Sequence, residues 1–345
     1  MNKIAKMMCL VAILALVGTS CKKKEEAASV KVTFTELDVE EEGGAKSYLV
    51  GKRVEWDATD RFAVFNVANG NTDMEFAKYR IQGAGGATVT LTPDGNPGVD
   101  PYNQGAFYAF YPYGDARGGF QGAVISDPGH VTATFLLPKV QEYRLVGGVP
   151  AIPQNSFAAA AKDTQTPYLG NVHFNMQAIC GILHLRYYMA YQEGPKVVDS
   201  ITIYDKYVHT TGLVRVYIDM INPTELSQWV TEFKSHVNDP YFLESLWAYK
   251  QSIGYYIPQP AQNPLLSKTV TLKCPGGVLV GTNSNKPVDF YVSLRPGAAA
   301  AGMTIKVYCS DGSVYNAYDD NYNDMIRPNV MKNMLVRPLS SNGSK

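Results

Sequence analysis

The sequence lacks both a net charge and an apolar run long enough to cross a membrane. Its 345 residues include 31 basic and 31 acidic side chains, so it has no basic field of the kind that nucleic-acid binding requires. The N-terminal apolar stretch Met7–Val17 is about half as long as the roughly 20 residues that a membrane-spanning helix needs. We therefore predict no nucleic-acid partner and no spanning helix in this stretch.

Compact motifs of common enzymes and metal sites are also missing. The sequence contains no Gly-x-x-x-x-Gly-Lys loop, no Gly-x-Ser-x-Gly elbow, no His-Glu-x-x-His and no Cys-x-x-Cys. The segment Gly83–Gly86 is rich in glycine, but no helical pattern follows it, so we predict a plain loop. We predict that the protein is not an enzyme and that it binds no cofactor and no metal ion.

Two chemical alternatives stay open at this stage. The acidic loop around Asp319, Asp320 and Asp324 could hold calcium, although its composition is more typical of a solvated loop. Two carboxylates brought together by the fold could hydrolyse a glycosidic bond, because their spacing is set in space and not along the chain. The five histidines are scattered along the sequence, which does not favour a zinc site.

Few cysteines remain for disulfides. Cys9 lies in the N-terminal apolar stretch and Cys21 just after it, which leaves Cys180, Cys274 and Cys309. Three cysteines allow one disulfide, and their spacing does not select the pair. Cys180 and Cys309 lie in strand-like runs, so we predict buried thiols at both positions.

An export signal begins the chain. Lys3 and Lys6 precede the apolar stretch, and small residues lead to Cys21, which is the pattern of a signal peptide over residues 1–20. The end of this segment is similar to a lipobox, in which the cysteine carries a lipid, although Gly18 stands where leucine is usual. We predict lipidation at Cys21, a tether over residues 21–28, and an outer membrane lipoprotein at the cell surface.

Alternating hydrophobicity predicts strands along most of the remaining chain. Val30, Val32 and Phe34 alternate with polar residues, and similar runs follow between turn residues. The Ala-, Gln- and Thr-rich stretch 154–170 indicates a loop near a domain boundary, and residues 223–246 are the best helix candidate. We therefore predict an all-β fold class with domains 29–165 and 166–345 and a short helical insertion in the second.

Six segments carry motifs that occur in the same order in one protein family. In chain order they are Val54–Phe65, Phe107–Tyr113, Pro138–Gln141, Val172–Leu185, Ser200–Gly212 and Leu294–Tyr308. Their order behind a lipobox resembles the fimbrillin superfamily of Bacteroidetes, which comprises lipoprotein pilins and fimbrillin-like surface proteins. Thr59 stands where that family usually has glycine, and His173 precedes Phe174 where the family has the reverse order.

The resemblance implies two tandem transthyretin-like β-sandwich domains that assemble by strand exchange. In the family, a protease cuts after a basic residue, the first strand leaves, and a strand from another subunit takes its place. Carried onto this sequence, the displaced strand contains Val30, Val32 and Phe34, and the cut follows Arg53, with Lys52 as the alternative. The partners implied are other fimbrial subunits, the outer membrane through the lipid, and a host or bacterial surface receptor.

The candidate donor strand is near the C-terminus. Val330, Met334 and Val336 lie on one face of a strand-like run, but Lys332 shares that face and Pro338 follows. Proline cannot donate to a strand ladder, so this run could instead complete its own domain. A tip, accessory or anchor subunit is then an alternative to a stalk subunit.

The function predicted from the sequence is that of a fimbrial subunit or fimbrillin-like adhesin. The alternative is a glycan-binding surface lipoprotein of a nutrient-uptake system, in which exposed aromatic rings stack on sugars. The residues that would do so are Tyr111, Tyr113, Trp229 and Trp247. Their burial would favour the adhesin, and their clustering on one exposed face would favour the glycan-binding protein.

Overall fold

The protein is all-β in the part of the chain that the computed structural model describes. Those residues are 29–34, 37–41, 56–67, 76–95, 98–102, 105–114, 118–127, 130–146, 148–153, 156–163, 170–205, 209–217, 266–296, 303–318, 330–334 and 336–341. Within them the prediction of an all-β fold is confirmed, and a short 3-10 turn spans Tyr191–Glu193. Cys21, Arg53, the predicted helix at 223–246 and the acidic loop at 319–324 lie outside these residues.

The strands are numbered along the chain. The first eleven are β1 (Ser29–Phe34), β2 (Asp38–Glu41), β3 (Arg61–Val67), β4 (Ala77–Ile81), β5 (Thr88–Pro93), β6 (Ala106–Tyr111), β7 (Gly119–Asp127), β8 (His130–Leu137), β9 (Val140–Glu142), β10 (Arg144–Val146) and β11 (Val149–Ala151). The others are β12 (Ala159–Asp163), β13 (Asn171–Ala178), β14 (Gly181–Met189), β15 (Lys196–Asp205), β16 (Gly212–Tyr217), β17 (Thr269–Val280), β18 (Val288–Leu294), β19 (Met303–Cys309), β20 (Val314–Tyr318), β21 (Val330–Asn333) and β22 (Arg337–Leu339).

Seven strands form a closed barrel in the order β1-β13-β12-β6-β3-β4-β5. The barrel closes because β1 pairs with β5 on one side and with β13 on the other. A three-stranded sheet, β16-β8-β7, packs against it. Phe110 of β6 stacks on Phe120 of β7 with 4.4 Å between the ring centroids, so a single apolar core joins the barrel and this sheet.

Two further sheets form a sandwich around a second core. One has the order β18-β14-β21-β2, with β22 also paired to β14, and the other has the order β20-β19-β15-β17-β9. Leu183 and Phe290 of the first sheet and Ile201 and Ile305 of the second belong to the same buried cluster. Every second residue of β19 is buried. Because successive side chains of a strand point to opposite faces of the sheet, these buried residues all face the core between the two sheets.

Sheet membership crosses the predicted domain boundary at residue 165. β2 and β9 precede the boundary, yet they pair with β21 and β17 of the sandwich. β13 and β16 follow it, yet they pair with β1 and β8. The ranges 29–165 and 166–345 stay a prediction about domain extent, and so does the tandem transthyretin-like arrangement.

The stretch 154–170 contains a strand that the sequence did not predict. β12 lies in it and pairs with β6 and β13 inside the barrel. Its sequence is AAAKD, in which alanine on both faces hides the alternation that identifies a strand. The prediction of a loop is therefore wrong for residues 159–163.

Candidate functional site

The first strand occupies a slot between two neighbours. β1 runs antiparallel to β5, with Val32 opposite Val89, and parallel to β13, with Val32 opposite Phe174. Both of its edges are therefore covered by strands that lie far along the chain. We call the space between β5 and β13, which β1 fills, the slot.

The side chains of β1 alternate between the core and the surface. Val30, Val32 and Phe34 are exposed by only 5%, 0% and 8%, whereas Lys31 is exposed. Burying an aliphatic or aromatic side chain of this size contributes about 1.5–3 kcal/mol. Thr33, on the outer side, shares hydrogen bonds with the Thr88 hydroxyl at 2.9 Å and with the His173 Nε2 atom at 2.8 Å.

An aromatic cluster closes the slot at the end of β1. The Phe34 ring lies 5.9 Å from the Trp56 ring, edge to face, and 5.2 Å from the Phe157 ring. Trp56 also packs against Phe62 and Tyr111, with 5.0 Å between ring centroids in each case. Edge-to-face packing is the arrangement that aromatic quadrupoles favour.

Trp56 is held in place by the glycine-rich loop. Its backbone N–H donates to the Gly86 carbonyl at 3.0 Å, and the Gly86 N–H donates back at 2.9 Å. A side chain on Gly85 would collide with the Trp56 carbonyl oxygen, so only glycine permits this approach. The segment predicted to be a plain loop therefore seats Trp56.

A buried hydrogen bond holds Tyr111, one of the rings of the cluster, in place. The Tyr111 hydroxyl donates to the Asp60 carboxylate at 2.8 Å, and the same carboxylate accepts the Asp57 N–H at 2.7 Å. Burial, and then the charge of Asp60, raise the pKa of Tyr111 well above its usual value. Tyr111 is therefore a neutral donor, and the Asp60 turn that carries Trp56 is tied to β6.

The described chain before Arg53 contains a second strand. β2 pairs in parallel with β21, with Asp38 opposite Val330 and Glu40 opposite Lys332. β1 and β2 therefore belong to different sheets, although they are separated by only a few residues. A cut after Arg53 would separate both from the rest of the chain.

The predicted donor residues lie on and after β21 in the first sheet of the sandwich. Val330 begins β21, which lies between β14 and β2, and the buried Met334 follows it. The Met334 N–H donates to the His184 carbonyl at 2.9 Å, and the His184 Nδ1 atom lies 2.6 Å from the Asn333 side-chain oxygen. Val336 precedes β22, so this segment occupies its own sheet, and a donor role stays a prediction.

The structure describes two of the four aromatic residues of the glycan-binding alternative, and their surroundings differ. Tyr111 is buried, with 3% of its surface exposed, because it belongs to the cluster around Trp56. Tyr113 is 39% exposed, and the Lys78 ammonium lies 5.4 Å from its ring centroid. Trp229 and Trp247 lie outside the described residues.

The described residues hold neither a metal-type cluster nor a disulfide. No group of three or more His, Cys, Asp or Glu side chains is placed to hold a metal ion in this part of the chain. Cys180, Cys274 and Cys309 are buried free thiols. Cys274 and Cys309 lie on β17 and β19, on opposite sides of β15, so their Cα atoms are about 10 Å apart and beyond the reach of a disulfide. The described residues also include no helix long and apolar enough to span a membrane.

Sequence patterns missed one residue of the site. Phe157 packs on Phe34, yet it lies in the stretch interpreted as a loop. The available signal was a single large aromatic side chain among alanines, which is typical of a residue that fills a space those alanines leave. Gln141, in the predicted Pro-x-x-Gln turn, is also buried and bonds to both backbone groups of Ser293.

Comparison with known proteins gives solved structures that align with most of this chain. No family model matches the chain, and no curated protein matches it. A candidate cell adhesion protein from Bacteroides uniformis is 12% identical, with a TM-score of 0.48, over 94% of this chain and 96% of that chain. A second candidate cell adhesion protein, from Bacteroides ovatus, is 10% identical, with a TM-score of 0.47, over 92% and 94%.

A fimbrial protein from Bacteroides vulgatus is 10% identical, with a TM-score of 0.39, over 92% of this chain and 97% of that chain. The structural neighbours are thus Bacteroides fimbrial proteins and candidate cell adhesion proteins. By themselves these matches assign neither a family nor a function to this chain.

Proposed function

We propose that this protein is a fimbrial subunit or fimbrillin-like adhesin that accepts a β-strand from another subunit. One observation carries the proposal: β1, at the start of the described chain, is held on both edges and buries three apolar side chains. On its C-terminal side β1 is connected through β2 and residues 42–55 to the strands that form its neighbours. That connection contains Lys52 and Arg53.

Proteolysis after Arg53 would leave β1 bound without a covalent link. When it leaves, the facing backbone groups of β5 and β13 lose their partners and the barrel core is uncovered. An incoming strand restores the hydrogen bonds and refills the pockets, which is β-augmentation. The proteolytic cut starts assembly. Burial of the uncovered core and restoration of the backbone hydrogen bonds by the incoming strand provide the free energy of assembly.

The position of β21 favours a terminal place in the assembly. Its neighbours in the uncut chain are β14 and β2. After a cut at Arg53 β14 still holds one edge, and the segment after β21 continues into β22, which pairs with the same strand. A subunit of this kind accepts a strand but does not readily donate β21. This supports a tip, accessory or anchor subunit over a repeating stalk subunit.

The remaining features of the proposal follow from the sequence. Lipid on Cys21 would fix the exported chain to the outer membrane, and the function would be adhesive and without catalysis. The burial of Tyr111 supports this reading over the glycan-binding alternative, which needs exposed rings. The partner of the slot is another fimbrial subunit, and the receptor is a host or bacterial surface component.

Limited proteolysis of an unlipidated full chain tests the proposal. In a Cys21→Ser protein, trypsin is expected to remove a discrete N-terminal segment that ends at Arg53, as read by mass spectrometry. Oligomers that increase with protein concentration should then appear by size-exclusion chromatography. The matched control is the Lys46→Ala, Lys52→Ala, Arg53→Ala variant, which has no trypsin site between β2 and Trp56 and should keep the segment and stay monomeric. Fragmentation at many sites with a persistent monomer would contradict the proposal.

A further inference from the structure

We infer that the β1 slot selects its partner strand through an aromatic-specific pocket at the position of Phe34. The inference rests on the proposed function, because it concerns the strand that replaces β1. The partner should present an aliphatic residue, a second aliphatic residue two positions later and an aromatic residue two positions after that. This is the pattern of Val30, Val32 and Phe34 in the present occupant.

The walls of the pocket belong to the part of the chain that a cut after Arg53 retains. Trp56 and Phe157 contact the Phe34 ring directly and are themselves 2% and 3% exposed. Both follow the predicted cut, so the pocket keeps its aromatic walls when β1 leaves. An aliphatic or polar side chain in this place would leave part of the volume empty.

The pocket is also held in shape without β1. Trp56 is fixed by two backbone hydrogen bonds to Gly86 and by its packing against Phe62 and Tyr111. Tyr111 is in turn fixed by its hydrogen bond to Asp60. Because these contacts do not involve the first strand, the pocket cannot readily shrink around a smaller side chain.

The other two positions of the slot favour aliphatic side chains. Val30 is paired with Leu91 and Val172, and Val32 is paired with Val89 and Phe174. Val32 is completely buried, so a larger side chain there would overpack the barrel. The incoming strand must also run parallel to β13 and antiparallel to β5, which fixes the direction in which the pattern is read.

The candidate donor strand of this chain, which begins at Val330, does not fit the pattern. Starting from Val330, the corresponding positions are Lys332 and Met334, which place a charged residue at the fully buried position and no aromatic ring in the pocket. The preferred occupant is therefore a strand from a different subunit, and a second copy of this chain is disfavoured.

The test uses a full chain with an engineered cleavage site between residues 42 and 55, so that release does not depend on Arg53. After cleavage, the dissociation rate of the labelled N-terminal segment is measured. Phe34→Ala is expected to increase that rate about 100-fold, in keeping with the cost of removing a buried phenyl ring. The matched control Lys31→Ala changes an exposed residue of the same strand and should leave the rate unchanged.

Peptide binding to the same cleaved, otherwise unaltered protein gives a second measurement that needs no destabilised variant. Peptides with the β1 sequence and Phe, Trp, Leu or Ala at the last position are compared with a peptide of residues 330–339. We expect the Phe and Trp peptides to bind tightly, the Ala peptide about 100-fold more weakly, and the 330–339 peptide at least as weakly as the Ala peptide.

The outcomes separate the inference from the proposed function. Equal binding of the Phe, Leu and Ala peptides, with equal release of the wild-type and Phe34→Ala segments, would overturn the pocket while strand acceptance stands. Tight binding of the 330–339 peptide would overturn the preference for a different subunit. If the segment never leaves and no peptide binds, strand acceptance itself fails, and the selectivity inferred from it fails with it.

Discussion

β1 and β2 come from the same short stretch before Arg53, yet they occupy unlike places. β1 has a neighbour on each edge and inserts Val30, Val32 and Phe34 into the barrel core. β2, in contrast, pairs with β21 at the margin of a sandwich sheet. Its sequence, DVEE, is largely acidic, and charged residues are typical of strands at a sheet edge.

The comparison shows why one cut would have two different effects. Loss of β1 would open a closed barrel and uncover its core, whereas loss of β2 would shorten a sheet by one marginal strand. Among the side chains that the structure describes, the members of the sandwich core all follow Arg53. We therefore expect release of the N-terminal segment to open the barrel to an incoming strand and to leave the sandwich core covered.

Matched proline substitutions in β1 and β2 should have the largest effect on stability. They test whether the two strands contribute differently to the fold. Val32→Pro removes a backbone donor and strains a strand with two neighbours, so we expect the barrel to lose about 3–5 kcal/mol of unfolding free energy. Glu40→Pro affects a strand with one described neighbour and should cost the sandwich about 1 kcal/mol. Hydrogen exchange in β5 and β21 measures the two halves separately, and equal losses would show that β1 and β2 are equivalent.

A substitution at Gln141 tests what stabilises the sandwich, which does not depend on β1. The Gln141 amide donates to the Ser293 carbonyl at 2.7 Å and accepts from the Ser293 N–H at 2.9 Å, in buried surroundings. Gln141→Ala leaves both groups unsatisfied, and we expect a loss of about 2–3 kcal/mol by urea denaturation. The exposed neighbour Glu142 is the control, since Glu142→Ala should change little. A neutral Gln141→Ala would show that water replaces the amide.

Thiol labelling should distinguish the two halves after release of the N-terminal segment. Burial raises the pKa of Cys180 to about 11 and that of Cys274 to about 12. Because the thiolate is the reactive form, we expect neither to react at pH 8 in the intact protein. Removal of the segment should make Cys180, in the barrel core, react while Cys274 stays protected, as read by mass spectrometry after tryptic digestion. Simultaneous labelling of both would mean that the segment supports the whole molecule.

The smallest effect is expected at the surface turn after Trp56. Hydrogen bonds from Thr59, and then the charge of Arg144, hold the pKa of Asp57 below its ordinary value of 3.8. A lowered pKa stabilises the fold above the ordinary value, and this contribution is lost as the pH falls through the lowered one. Arg144→Ala should therefore cost at most about 0.5 kcal/mol at pH 7.

The pH dependence provides the check on that small effect. The difference between Arg144→Ala and the wild type should be complete above pH 3.8 and should disappear as the pH falls through the lowered pKa of Asp57. Urea denaturation at a series of pH values measures it. A difference that persists in acid would assign the effect to packing of the Arg144 side chain and not to its charge.

Much of the local structure could be predicted from the sequence, and the failures have physical causes. The alternation of Val30, Val32 and Phe34 predicts a one-faced strand, and β1 is there. β12 escaped prediction because alanines on both faces carry no alternation, and Phe157 escaped with it. The seat for Trp56 on Gly85 and Gly86 was also missed, because a glycine-rich segment indicates backbone freedom without indicating what approaches it.

The sequence by itself determined the strand period, the turns and the all-β fold, because these depend on the order of apolar, polar and turn residues along a short segment. Only the tertiary structure decided which strands are neighbours. Strands pair through backbone N–H and C=O groups, which almost every residue carries. The sequence of β1 therefore does not identify β13 as its neighbour, and the sequence of β2 does not identify β21. The slot and its aromatic pocket exist only once those distant segments have come together around a shared core.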